Sequence, residues 1–574
     1  MRRNYTVLRT PSRRVVGVVL VCLVVFAAAP TVHGQHDAHR ETVREIAREQ
    51  YGQAEQRLKG VLEDPATLWR GLTGAYKRAG AFIKQEGKDY RRFVFGETHF
   101  VLALLASKQG EADKALEHAR RAVEEGLPFA RLQAGPRDAF EALYNVEAFQ
   151  EWAEQMGEQL LHGPMLGHVT AEAVSFWVRT AREAEVRVEV KPKNDAGRMV
   201  DAVVGQTLAS QDYTGIVRVE GLNPDTAYTY QLAIDGVQAP IDGAAFRTYP
   251  DQGTPGRFCV AFGGGAGYVP EHERIWTTIR ERDPLAFLTL GDNVYIDDPE
   301  HCLTQRYCYY RRQSVPEWRA LMAGRGVYAI WDDHDFGLND SYGGPAVDHF
   351  SWKRSVWHVF QQNWNNPAYG GGHTQPGCWF DFYIGDVHFI MLDGRYYREK
   401  TARHGADDVE NPSMLGPVQR AWLKKTLKDS RGVFKVVASP VPWAPETKGG
   451  PPGGLDTWDG YAEERAAIYD FLSEHGISGV ALISADRHRS DARRISRERG
   501  YDLYDFMSSI FTNYHTHDLV QDAPGWIFGY NEKNSFALLD FDTTAADPTL
   551  TFKIVTIDNE TIWDMKLTLS ELTD

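Results

Sequence analysis

Four apolar runs in the second half of this sequence stop in the same way. "LAFLTL" runs into "GDNVYIDD", "VYAIW" into "DDHDFGLND", "HFIMLD" into "GRYYRE", and "VALIS" into "ADRHRS". Adjacent carboxylates repel one another and resist burial unless positive charge stands among them. One such terminus would be a solvated acidic turn. Layered α/β folds place their ligands at the C-terminal ends of strands. Four such ends on one edge predict a cluster of oxygen and imidazole ligands of the type that holds divalent or ferric ions. Metal ions would then balance Asp332, Asp333 and Asp335 around His334.

The surrounding pattern alternates strands with helices, which sets an α/β domain over residues 256–574. The candidate strands are "RFCVAFG", "LAFLTLG", "GVYAIW", "FDFYIGDVHFIMLD", "VFKVVAS" and "SGVALIS". "LGPVQRAWLKKTLKDS" reads as a helix with Pro417 in its first turn and Val418, Trp422 and Leu423 inward. The Pro/Gly stretch 439–460 is long enough to be functional or disordered, and "TLTFKIVTIDNETIWDMKLTL" adds strands at the end.

At 574 residues the chain exceeds one core, and its first half changes period twice. Residues 160–250 alternate with period two, as in "VRVEV" and in "GLNPDTAYTYQLAIDG" with Leu222, Tyr228, Tyr230 and Leu232. They read as a fibronectin/immunoglobulin-like β-sandwich. Residues 35–158 read as α-helical hairpins, with Ala112, Ala115, Leu116, Ala119, Ala122 and Val123 at helical spacing and "RDAFEALYNVEAFQEWAEQ" as the next helix. The pair resembles tetratricopeptide-type repeats. Such a region serves either as a docking surface for a protein partner or as a packing cap, the plainer role.

Residues 1–34 have the features of an export signal: Arg2, Arg3, Arg9, Arg13 and Arg14 precede an apolar run from Val15 to Ala29, and Gly34 offers a cleavage position. Fifteen apolar residues are short for a membrane span of ~20. "SRRVVGV" also resembles a twin-arginine signal, which would place the protein in the periplasm or outside the cell. Removing the segment lowers the formal charge of −15 by five, since it holds five arginines and no acidic residue. So acidic a chain does not bind nucleic acid by bulk charge. Cys302 and Cys308 in "HCLTQRYC" are close enough in sequence to form a disulfide in an oxidising compartment. Cys259 and Cys378 read as buried free thiols, and His36 and His39 as part of a disordered tail.

"GDNVYID", "WDDHDFGLND", "LDGRYYR", "LGPVQRAWL", "WDGY" and "SADRH" occur in that order. Together they resemble the alkaline phosphatase D (PhoD-like) metallophosphatases, relatives of the purple acid phosphatases, over residues 160–570. The resemblance implies a multi-domain protein with a four-layer αββα catalytic domain after the sandwich. It also implies metal-dependent hydrolysis of phosphoric mono- or diesters, with a small-molecule phosphate ester as substrate. It makes Asp292 the metal-bridging aspartate, Tyr295 a ferric-ion ligand, Asp333 a ligand of the second metal, and Asp486 and His488 further ligands. His334 becomes the acid facing the leaving oxygen, and Arg395 a phosphate clamp.

The chain departs from the family where a cysteine iron ligand is usual. "AFGGGAGY" puts Gly264 or Gly265 there, whose amides would instead approach phosphate as a nest. Losing a thiolate favours hard ions such as Ca²⁺, Mg²⁺ or Mn²⁺, while Tyr295 favours Fe³⁺. The competing class is a helical-repeat scaffold with a decayed phosphatase domain. Of the remaining polar residues, Asp335 reads as orienting His334 and Asp332 as a turn cap; Asp297 and Asp298 read as support behind the ligands or, the plainer role, as solvated loop, and His515 and His517 in "NYHTHD", though spaced as a metal pair, as polar filler.

Overall fold

The computed structural model describes residues 37–69, 88–194, 201–406, 409–450 and 453–574. The expected export signal, residues 1–34, and His36 lie outside the described residues. Asp37 caps the first described helix, Ala38–Ala47, by accepting the Arg40 amide at 3.0 Å. His39 lies inside this helix, fully buried, with Nε2 2.8 Å from Thr98 Oγ1. The disordered-tail expectation for His39 is therefore corrected.

Helices Glu97–Lys108 and Ala112–Glu124 pack through the small buried residues Ala115, Ala119 and Ala122. The single helix expected next is broken into Arg137–Ala139, Glu141–Tyr144 and Glu147–Met156. β-Branched Val146 takes an extended conformation at the break, and Phe149 folds back onto Tyr144 at 5.5 Å.

Two small antiparallel sheets follow. Leu160–Gly167, Val174–Thr180 and Thr214–Val219 form one, and Asp201–Thr207, Ala184–Pro192 and Ala227–Ile234 are the main strands of the other. They meet through rings such as Phe176 on Tyr230, 4.8 Å apart.

Two larger sheets carry the rest. The first orders Gly326–Ala329, Ala286–Thr289, Arg257–Gly263, Ser535–Asp542, Thr549–Thr556 and Thr561–Thr568, the first three strands parallel. The second holds Val387–Met391, Phe434–Ala438, Val480–Ser484 and Leu503–Ser508 as a parallel core with antiparallel strands at both edges. Tyr328 stacks on Phe382 at 3.7 Å between them, and Phe541 meets Phe389 at 5.9 Å. Helix Gly416–Asp429 buries Gln419, Leu423 and Leu427 and leaves Val418 exposed, contrary to expectation. Gln419 takes the inward place because its amide donates to the Asp393 carbonyl and accepts the Asp393 amide, both at 2.8 Å.

The expected Cys302–Cys308 disulfide is also corrected. Both residues lie on helix Cys302–Gln313 and both are free thiols. Six helical residues span ~9 Å, beyond the ~4.4–6.8 Å between Cα atoms that a disulfide bridges. Cys308 instead turns its thiol toward the Tyr295 carbonyl at 3.6 Å.

Candidate metal centre

The strand ending at Thr289 feeds a loop in which Asp292 and Asp297 have left-handed backbones, with φ of 52° and 43°. Asp340, Asp486 and His488 share this rare conformation, at 57°, 70° and 45°. Non-glycine residues held there are strained, and such strain gathers at functional sites. Here five such residues belong to one cluster of side chains.

Asp335 ties the first two strand ends together. Its carboxylate accepts the amides of Asn293 at 3.0 Å, Val294 at 3.1 Å and Asp332 at 3.1 Å. Burial still pushes its pKa up to about 7. Asp335 therefore shapes the loop, and the residue that orients His334 is Asp297, whose Oδ1 lies 2.6 Å from His334 Nδ1. The solvated-loop expectation fails for Asp297 and Asp298, since both are buried. Asp332 does cap the turn at Asp333–Phe336, and it also accepts Arg395 Nε at 2.5 Å.

Asp292, Asp333 and His334 bring one ligand atom each within 4.8 Å of one another. Asp292 Oδ2 accepts the Tyr295 hydroxyl at 3.1 Å and lies 3.7 Å from His488 Nε2, while its Oδ1 is buried with no hydrogen-bond partner. Tyr295 OH also lies 3.1 Å from His488 Nε2 and accepts Asn513 Nδ2 at 2.9 Å. Burial, helped by Asp333, Asp332 and Asp335, pushes the Asp292 carboxyl well above its usual range despite the pull of His334. Burial works against Asp333 too, but Arg395 and His334 outweigh it and hold that carboxyl low. Burial alone would lower the His334 pKa; Asp297, Asp333 and Asp292 instead raise it well above the ordinary imidazole value. A buried oxygen without a partner, set among carboxylates, phenol and imidazole, suits a cation: the donor set fits hard or borderline metal ions.

Arg395 does not face open space. Its guanidinium is fully buried and pairs with Asp456 through Nη1 at 2.9 Å and Nη2 at 3.2 Å, besides Asp332. Asp456 further accepts Arg398 Nη1 at 2.6 Å and Lys448 Nζ at 3.1 Å. The phosphate-clamp expectation for Arg395 is corrected: hydrogen bonds to Asp332, the Ser341 carbonyl and both oxygens of Asp456 tie its guanidinium to the protein, with Nη2 3.9 Å from Asp333 Oδ1. Gly265 likewise spends its amide on the Gly291 carbonyl at 3.3 Å, and the Gly264 carbonyl accepts Ile510 N at 2.9 Å. The Gly265 amide thus serves the Gly291 carbonyl in place of the expected phosphate nest. A cysteine at 265 would be strained by its φ of 75°, and a Cβ at 264 would meet Ala485 Cβ at 2.8 Å.

The residues that sequence reasoning passed over come from loops. Arg487 is buried, only 8% exposed, yet its guanidinium makes no hydrogen bond among the described residues, and Asp486 Oδ2 stands 3.8 Å away. Lys448, from the long Pro/Gly loop, lies 3.5 Å from the same Asp486 oxygen. His515 and His517 pack against His488. Burial pushes all three imidazoles below their ordinary value. Behind the site, Arg40 of the first helix donates to the Tyr295 carbonyl at 2.7 Å and Arg44 to that of Asp297. The helical region thus braces the loop that carries Asp292. Only "ADRH" and the HxH spacing hinted at any of these residues.

This arrangement of sheets is the fold of the PhoD and purple acid phosphatase structures. The solved structure of PhoD superposes with a TM-score of 0.58 at 16% identity, covering 70% of this chain and 88% of that one. The purple acid phosphatase PPD1 of yellow lupin (Lupinus luteus) gives 0.51 at 12% identity, covering 71% and 75%. Residues 259–525 match the PhoD-like phosphatase family, and the chain carries a PhoD-like phosphatase domain there. Residues 157–249 match a domain of unknown function, DUF7800. The alkaline phosphatase D of Bacillus subtilis (strain 168) is 22% identical over 386 residues, 58% of this chain. The match spans 65% of that relative, just under two thirds of its length.

Proposed function

We propose that this protein is an exported, metal-dependent hydrolase of phosphoric esters with a binuclear-type centre. The observation that carries the reading is the buried convergence of Asp292, Asp333 and His334, with an oxygen of Asp292 left without a partner. Asp292, Tyr295, Asp333, Asp486 and His488 would hold the ions, calcium and ferric iron being the expected types. Such ions supply Lewis acidity toward phosphoryl oxygens and an acidified water near neutral pH.

The chain's own groups complete the chemistry. His334 keeps a proton because Asp297 and its carboxylate neighbours stabilise the imidazolium. With Nδ1 committed to Asp297, Nε2 is the nitrogen that delivers a proton to the leaving alkoxide. Arg487, buried without hydrogen-bond partners, takes the role of phosphate clamp. Arg487→Met should raise KM about 10- to 100-fold with a smaller change in kcat, since a hydrogen bond to a charged group is worth ~1.5–3 kcal/mol. An unchanged KM in steady-state kinetics would remove Arg487 from that role.

The reading is tested by initial rates on an aryl phosphomonoester and a bis-aryl phosphodiester, with calcium, magnesium, manganese, iron or zinc supplied. Turnover of either substrate is expected. No turnover of either with any ion would contradict it and favour the scaffold alternative.

A further inference from the structure

His488, His515 and His517 bring one ring nitrogen each within 4.8 Å of one another. Their ring centroids are 5.6 Å apart for His488 and His515, 5.5 Å for His488 and His517, and 4.6 Å for His515 and His517. Three imidazoles meeting one ion tetrahedrally, with metal–nitrogen bonds of ~2.0–2.1 Å, have centroids about 5 Å apart. The rings are inclined at 82°, 47° and 78°, so they are not stacked face on face as an apolar contact would arrange them.

His515 and His517 are half-buried, and His488 Nδ1 is buried without a hydrogen-bond partner. His488 Nε2 meets the Tyr295 hydroxyl at 3.1 Å, so its buried Nδ1 is the ring nitrogen left with a desolvation cost that a ligand would offset. Their chemistry selects that ligand: imidazole suits zinc, copper, nickel and iron, whereas calcium and magnesium take oxygen.

We propose that His488, His515 and His517 form a binding site for a borderline transition-metal ion of the zinc type. The site lies beside the Asp292–Tyr295 pair, which His488 Nε2 reaches at 3.7 and 3.1 Å. It would give the centre an imidazole-rich half next to its carboxylate half. It shares only His488 with the metal-centre reading above, and its ligands from the 513–518 loop are independent of that reading.

The test uses the purified full chain, stripped of metal and titrated with Co²⁺, then with Zn²⁺ in competition. One equivalent of Co²⁺ should give the intense visible absorption of a tetrahedral ion, and Zn²⁺ should displace it. His515→Ala and His517→Ala, with His517→Gln as a volume-conserving control, should each weaken Zn²⁺ binding by ~100-fold or more, at or above the upper range seen when an outer-shell partner is lost. They should keep the wild-type circular dichroism spectrum. Asp333→Asn should keep the tetrahedral signal.

A weak, octahedral-type Co²⁺ spectrum, or Zn²⁺ affinity unchanged in the folded histidine variants, would overturn the proposal whatever the enzyme's activity. A histidine-dependent cobalt signal in a protein that hydrolyses no phosphate ester would uphold it while contradicting the hydrolase reading.

Discussion

Asp292→Asn and Asp333→Asn should each lower phosphate-ester turnover ~10³-fold or more, because metal centres contribute several kcal/mol of transition-state charge stabilisation. The two variants should differ in stability. Asp292 sits among three other carboxylates that push its pKa up, so a neutral amide relieves repulsion and the ion-free variant should melt no lower than wild type. Asp333 accepts the His334 amide at 3.0 Å and the Asp340 amide at 2.6 Å through different oxygens. An asparagine can replace only one acceptor, and its NH₂ group would face a donor. The ion-free Asp333→Asn variant should therefore melt lower while remaining folded. Turnover near wild type in either variant, or the reverse order of melting temperatures, would remove this account of the two carboxylates.

Replacing Arg395 with leucine should destabilise the fold by about 3–5 kcal/mol, the cost of leaving buried charges unpaired. Arg395 links Asp332 at 2.5 Å to Asp456 at 2.9 and 3.2 Å, and all three residues are buried. Lysine should restore little of the loss, since it cannot reproduce the two-pronged contact with Asp456. Urea denaturation reads the effect directly. A midpoint near that of wild type together with a raised KM would return Arg395 to the phosphate-clamp role.

The α/β domain and the strand ends were legible in the sequence because apolar runs and the charges that stop them are local signals. Asp292, Tyr295, Asp333, His334 and His488 lie on those ends, and the structure brings them together, whereas Asp486 meets Lys448 and Arg487. Roles that depend on distant partners were not legible. Arg395 looked like a phosphate ligand until Asp456, from a loop 61 residues away, was seen to occupy it. Asp297 looked solvated because nothing nearby in sequence announces that His334 folds onto it. Helix Cys302–Gln313 defeats the pairing that two cysteines six residues apart suggest. Val418 shows the limit of apolar spacing: the inward place went to Gln419, whose amide satisfies the backbone at Asp393.

The central claim is that hydrolysis of phosphoric esters depends on metal ions held by the cluster around Asp292. The most direct measurement follows aryl phosphate hydrolysis and bound metal together, before chelation, after it, and after readdition of single ions. Activity should fall with the metal content, return on readdition, and fail to return in Asp292→Asn. Undiminished hydrolysis by protein shown to be metal-free would contradict the account.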